Sequence, residues 1–469
     1  MDYSLIPFLF VLLISFVIGC FFSKSSKKQS DYFLGGRSLS WPLLTMTFTA
    51  TQIGGGFILG TADAAAEVGP FAILFPLGYC LGFLALGAGF GEKLRSLKLD
   101  TASDVFERYY NSIHLKKITS ILSIVSLTVI LVAQAVALKK FLFSMGWADE
   151  WIFLLAWSVV ILYTTQGGFL AVVWTDTVQA AVMVVMLIVA FFFTMGSAPA
   201  DTTTSLTFFS SVQWDLAEPK ILGYLLMPFL FIFIEQDMVQ RCFAAKSKRD
   251  VAIGGLLAAL ILFILAVIPV YFGMQASALQ IQGEKSSKFM EAISLLTNKG
   301  ITSCAASAVL LAIISTASSL LSAASSNISQ DFTTNKEKLP IRWTKLITLF
   351  TGIIALIGAY TATNVLSCII VSYELFVACL FVPFVFAVFF KDNCLTLLPA
   401  AILSVLFGLS GFVLVKTISF GMWDELLPIC SSALGFGIGL AYVKWKEKSS
   451  HKVLFSLQTR LSPMNKHYE

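Results

Sequence analysis

The 469-residue chain is expected to be an all-α polytopic membrane protein, and three observations predict it. Only 13% of its residues are charged and 57% are hydrophobic, where a soluble domain carries roughly 25% charged residues. Apolar runs of about 20 residues, the length that crosses a bilayer as a helix, recur about 13 times between polar turns. Two of these runs are interrupted, one by Gly54-Gly55-Gly56 and one by Pro228. Each glycine costs a helix about 1 kcal/mol relative to alanine, and proline removes a backbone hydrogen bond. An opened backbone inside lipid survives only where protein or a watery cavity satisfies it.

The runs follow in order. The first, 4–22, has no Lys or Arg before it and meets Lys24, Lys27, Lys28 and Arg37 after it. It lacks the basic start of a cleaved leader and is read as an extra helix with its N-terminus outside. The second, 41–66, holds the glycine triplet. Runs 70–92, 118–138, 151–169 and 176–197 complete a first group of five. An outer loop at 198–220 carries Trp214 as an interfacial anchor. Run 221–239 holds Pro228 and opens a second group with 251–273, 301–326, 343–361 and 364–389. The outer stretch 274–300 has room for a short surface helix. Runs 394–415 and 424–443 are extra C-terminal helices, and 444–469 is a basic tail. This alternation gathers Lys93, Arg95, Lys98, Arg108, Lys116, Lys117, Arg241, Lys246, Lys248, Arg249, Lys336 and Lys338 on the cytoplasmic side, as the positive-inside rule requires. The C-terminus is therefore cytoplasmic, and the +5 net charge is read by side of the membrane, not as a nucleic-acid signal.

Several function classes drop out. No GxxxxGK[ST] phosphate loop is present, which argues against ATP-driven transport by this chain. The eight cysteines stand singly without a CxxC pair, so neither a metal site nor a disulfide frame is suggested. The three histidines, His114, His451 and His467, fall in predicted cytoplasmic regions, and no nucleophile–base pair emerges, so the chain is not expected to be an enzyme.

Polar residues inside the spans carry the functional reading, because charges at bilayer depth are costly and usually face a cavity or a partner. Glu235 and Asp237 follow Pro228 by about two turns. The interrupted run that holds them begins five spans after the glycine-broken one, the spacing of an inverted five-helix repeat with a site at the repeat interface. The competing reading makes both carboxylates caps of a cytoplasmic helix end beside Arg241. Run 301–326 is dense in hydroxyls, among them Ser315, Thr316, Ser318 and Ser319. Hydroxyls and freed carbonyls suit a hard cation, which takes oxygen ligands, although small residues also serve close helix contact.

Four stretches then become recognisable. Asp31-Tyr32-Phe33-Leu34-Gly35-Gly36-Arg37-Ser38, Gly167-Gly168-Phe169-Leu170 through Gln179, Val239-Gln240-Arg241-Cys242-Phe243-Ala244-Ala245-Lys246, and Ser315-Thr316 through Asn327 resemble, in order, motifs of the sodium:solute symporter family. The resemblance implies a LeuT-like core of two inverted five-helix repeats, 41–197 and 221–389, with the extra C-terminal helices at 394–443. It implies sodium-coupled import of a small solute by alternating access, with sodium as coupling ion. By the same resemblance the sodium ligands are backbone carbonyls near Ala50 and Ile53, a carbonyl at Ala312, and the hydroxyls of Ser315 and Thr316; a one-residue shift of register would substitute Thr49 and Gln52. Asp176 matches the acidic residue on the sodium exit path, with an N-cap of the sixth helix as its other reading.

The glycine segment looks closest to the choline-transporter branch, but the positions of that branch's cage tryptophans are Gln52 and Glu235 here. A quaternary ammonium is held by ring faces, so an amino acid such as proline fits Gln52, Gly55, Gly56, Glu235, Tyr373 and Glu374 better. A choline or quaternary-amine symporter, a proton-coupled transporter and a non-transporting membrane sensor are the other readings. The expected setting is a bacterial inner (plasma) membrane, with a small solute, sodium and the lipid bilayer as partners and no nucleic acid.

Overall fold

The computed structural model describes Leu13, Val17 and residues 33–197, 220–283, 285–332, 340–390 and 396–461. The first predicted run, 4–22, lies outside the described residues apart from Leu13 and Val17, as does Trp214. Each of the other twelve runs coincides with helix. The broken run becomes α1 (Trp41–Gln52) and α2 (Thr61–Val68), joined through a wide turn at Gly56–Gly60. Next come α3 (Leu74–Ala85), α4 (Gly91–Leu97), a short α5 (Asp104–Tyr110) and α6 (Ile113–Ser144). One long element, α7 (Glu150–Ser197), contains two spans. Then follow α8 (Lys220–Phe231), α9 (Gln236–Ala244), α10 (Lys248–Ala278) and α11 (Lys288–Leu296), the last being the expected outer surface helix. The chain continues through α12 (Lys299–Asp331), α13 (Ile341–Gly358), α14 (Val365–Phe389), α15 (Leu398–Thr417) and α16 (Leu426–Leu461).

The two spans within α7 are separated by a single bend at Gly168, with φ 64° and ψ −176°. Side chains with a Cβ are essentially barred from that conformation, which accounts for the glycine pair there. Asp176 consequently sits two turns inside the second half of α7. The N-cap reading is overturned, because the helix already runs unbroken from Gly168.

Packing centres on the two interrupted helices. α10 lies along α1, α2 and α3, and α8 packs on α3. On the other side α12 packs against α7 and α6, and α14 bridges α6 to the α15–α16 hairpin. The apolar window of α12 is 89% buried, against 33% for the second span of α7. Hydropathy does not explain that difference; the small Ala and Ser side chains of α12 let neighbouring backbones approach closely. Phe192, Phe193, Phe263 and Trp445 point outward, as lipid-facing residues do. A short parallel bridge ties the entry of α1 to the exit of α9: Leu39 N–H donates to Ala244 O at 3.1 Å, and Lys246 N–H to Leu39 O at 2.8 Å.

Candidate functional site

Both interrupted runs open, the first at the predicted glycines and the second not at Pro228, which stays inside α8, but one turn later at residues 232–234. α1 stops at Gln52, where Gly54 N–H turns to Gln52 O at 2.9 Å instead of reaching Ala50 O. Gly55 N–H is taken by the side-chain oxygen of Gln134 on α6 at 2.8 Å, which leaves Thr51 O without its helical donor. The two released carbonyls face α12. Ser315 Oγ lies 3.1 Å from Ala50 O, and Thr316 Oγ1 lies 3.4 Å from Ala50 O and 3.0 Å from Thr51 O. Close approach requires glycine here as well: a Cβ on Gly54 would fall 2.6 Å from Thr316 Oγ1, and one on Gly55 would collide with Ala137. On the other side α8 ends at Phe231, and Ile232, Phe233 and Ile234 turn before Glu235, whose ψ of 123° starts α9.

The two breaks meet. Gln52 Nε2 donates to Glu235 Oε2 at 3.2 Å across the centre of the molecule. A cavity of about 20 Å³ lies there, lined by Gln52, Gly56, Gln134, Glu235, Thr316 and Tyr373 among others. That is room for about one water. Aromatic rings roof it: Tyr79 and Tyr373 share a hydrogen bond at 2.7 Å, Tyr373 stacks on Phe231 with centroids 3.9 Å apart, and Tyr79 stacks on Phe57 at 6.4 Å.

Below this centre, towards the start of α1 and the end of α9, a charged network is sealed from solvent. Asp176 Oδ2 accepts from Thr47 Oγ1 at 2.8 Å, Ser319 Oγ at 3.1 Å and Arg241 Nη2 at 3.1 Å, and its Oδ1 accepts from Ser315 at 3.1 Å. Arg241 also reaches Thr47 Oγ1 at 2.9 Å and Ser319 Oγ at 2.7 Å, and its Nη1 pairs with Asp237 one turn earlier on α9. One guanidinium thus joins α1, α7, α9 and α12.

These contacts sort the expected residues. Ala50, Ser315 and Thr316 come together, and Ile53 and Ala312 are fully buried. The register centred on Ala50 is the one whose carbonyl faces α12, whereas Thr49 O stays in the helix by accepting Ile53 N–H. Gln52, Gly56, Glu235 and Tyr373 line the central cavity. Gly55 serves instead through its N–H to Gln134. Glu374 does not join the centre; one residue on from Tyr373, it turns to a separate cavity and pairs with Lys416 Nζ at 2.5 Å. Arg241 is fully buried, not in a cytoplasmic loop, because α9 continues to Ala244, beyond the predicted end of the run at 239. Asp237 is likewise no cap but the partner of Arg241 within α9. Sequence reasoning missed Thr47, Tyr79 and Gln134, and on chemistry alone it did not separate Ser319 from Ser315 and Thr316. Gln134 had a readable signal, a lone amide within an apolar run. The hydroxyls had none, since Ser and Thr can bond their own helix anywhere.

Comparisons with known proteins bear on the family and the fold. Residues 32–394 match the sodium:solute symporter family. The sodium/proline symporter of Haemophilus influenzae is 30% identical over 373 residues, covering 71% of this chain and 71% of that protein. The high-affinity proline transporter of Bacillus subtilis is 26% identical, covering 74% and 79% respectively. A solved structure of a Na+-coupled sialic acid symporter superposes with a TM-score of 0.76 over 94% of this chain and 98% of that one, at 18% identity. The last likeness is one of fold, and the LeuT-like architecture expected from the motifs stands.

Proposed function

Because the chain belongs to the sodium:solute symporter family, we propose that it imports an amino acid, proline in the first instance, together with sodium. It is an integral membrane transporter, with sodium as the coupling ion and a small solute as cargo. The observation that carries the reading is the pair of carbonyls released from α1 at Ala50 and Thr51 and met by the hydroxyls of Ser315 and Thr316. Four uncharged oxygens, with the Asp176 carboxylate bonded to one of them, make a donor set that a hard monovalent cation prefers to sulfur or nitrogen ligands. In this reading Ala50, Ile53 and Ala312 supply carbonyls, Ser315 and Thr316 supply hydroxyls, and Asp176 receives the ion on its way inward.

Proline is supported by the two relatives named for it and by the chemistry of the centre. Glu235 offers a buried carboxylate to the solute's ammonium, and the Gln52 amide, now bonded to Glu235, is free to turn to its carboxylate once the solute arrives. The central space holds about one water, so entry requires the Tyr79–Tyr373 roof to part. The two five-helix groups, 41–197 and 221–389, are the halves whose relative movement opens it. The N-terminus is outside, the basic tail is cytoplasmic, and the membrane is a bacterial inner membrane.

Purified protein in proteoliposomes should accumulate radiolabelled L-proline when sodium is high outside, and should do so neither in potassium nor under a proton gradient alone. Accumulation driven by a proton gradient alone would overturn sodium coupling, and counterflow of choline but not proline would overturn the solute. Within that assay, Glu235→Gln should raise the proline concentration for half-maximal uptake about tenfold, the loss of one charge-assisted hydrogen bond of about 1.5 kcal/mol. Gln52→Ala should act in the same direction. An equal shift in the sodium requirement would show that these residues do not belong to the solute.

A further inference from the structure

Above the closed centre, where α2 ends and α14 begins, lies a second cavity of about 330 Å³ that the transport reading leaves unused. Its charged lining consists of Asp63, Glu67, Glu374, Lys416, Asp424 and Glu425. Most of these groups are matched. Asp63 takes Lys140 Nζ at 2.9 Å, and Glu67 faces Lys288 Nζ at 3.8 Å. Asp424 accepts the Phe420 N–H at 2.6 Å and the Ser419 hydroxyl at 3.0 Å. Glu374 holds Lys416 Nζ.

Glu425 is the exception among the described residues lining this cavity. It is 8% exposed, and its Oε2 has no hydrogen-bond partner. Its carboxyl group lies within hydrogen-bonding reach of that of Glu374, so the two share the single ammonium of Lys416. The chain makes room for this contact at Gly223 on α8, where a Cβ would collide with Glu425 Oε1. Burial and the neighbouring Glu374 push the Glu425 carboxyl up to about 8, because two carboxylates in contact cannot both keep their charge out of water. Glu425 therefore carries a proton at neutral pH. A cation placed between them would satisfy the same oxygens without that proton.

We propose that this cavity is an outer binding site for a small monovalent cation, an alkali ion or the ammonium of an amine, held between Glu425 and Glu374. The proton leaves to the outer solution, so one charge enters as one departs. The site needs neither sodium coupling nor proline to be correct. It touches α2, α8, α14 and Gly60 of the wide turn; that turn carries Phe57 and α14 carries Tyr373, two of the rings of the aromatic roof. Glu425 loses its proton as pH rises through about 8, so the cation binds more tightly above that value than below it. Lys416 of α15, Asp424 of the following loop, Asp63 and Glu67 of α2 and Tyr224 of α8 face the same cavity and set the background charge.

The test is dicyclohexylcarbodiimide labelling, which requires a protonated carboxyl, on the purified full chain at neutral pH with the modified residue mapped by mass spectrometry. Glu425 should be labelled. Methylammonium chloride or sodium chloride should slow that labelling about five-fold relative to an equal concentration of choline chloride, as a ligand at several times its dissociation constant would. Whichever salt protects identifies the source of the cation. In Glu374→Gln protein the labelling should persist and the protection should vanish. The proposal is overturned if Glu425 is not labelled, if all three salts act alike, or if sodium protects equally well in Glu374→Gln, which would place the effect at the transport site.

Discussion

Arg241→Met should lower the stability of the protein by about 3–5 kcal/mol, the loss found when one partner of a buried ion pair is removed. The side chain is about the right length, so the volume is kept and the charge alone is lost. Asp176 and Asp237 would then remain buried without a cation, and Thr47 and Ser319 would each lose a partner. The reading is the midpoint of thermal unfolding in detergent. Arg241→Lys should recover only part of the loss, because a point charge cannot reach three helices at once as the guanidinium fork does. Asp237→Asn placed on top of Arg241→Met should restore part of the stability by removing one uncompensated carboxylate. A single variant as stable as the unaltered chain would show that water enters this network and solvates it.

Removing both hydroxyls, Ser315→Ala with Thr316→Ala, should raise the sodium concentration for half-maximal uptake about 100-fold, from about 1.4 kcal/mol for each oxygen lost to a charged partner. The carbonyls of Ala50 and Thr51 face these hydroxyls, so the same change withdraws two ligands and leaves the other oxygens in place. Ser315→Thr with Thr316→Ser keeps both oxygens and should restore most of the affinity, which separates ligation from packing. Uptake measured against sodium at fixed proline checks it. An unchanged sodium requirement in the double alanine variant would remove Ser315 and Thr316 from the ion's path.

Much of this architecture was legible in the residue order. The helices of the twelve described runs, the interruption at Gly54-Gly55-Gly56, and the surface helix now seen as Lys288–Leu296 follow from hydropathy and from residues that break helices, whereas the second break falls one turn beyond Pro228. Those signals are local: a 20-residue apolar run or a glycine triplet acts on its own segment wherever it ends up. The pairing of Ala50 with Ser315 and Thr316 was reached only through the family resemblance, since nothing in either segment alone indicates the other.

What the sequence by itself determined is the class of molecule and which two of its helices open, because lipid enforces backbone pairing so strictly that an interrupted helix is marked by Gly, Pro or a buried polar residue nearby. Tertiary structure decided which polar groups share a site. Tyr373 and Glu374 are neighbours in the chain, yet the turn of a helix sends one to the aromatic roof and the other to Lys416 in a different cavity. Arg241 reads as one more basic residue near a membrane face; only the assembled bundle puts it between Asp176 and Asp237. Charge pairing acts over a few ångströms in space, and residues 65 positions apart, as Arg241 and Asp176 are, meet only after the helices have packed.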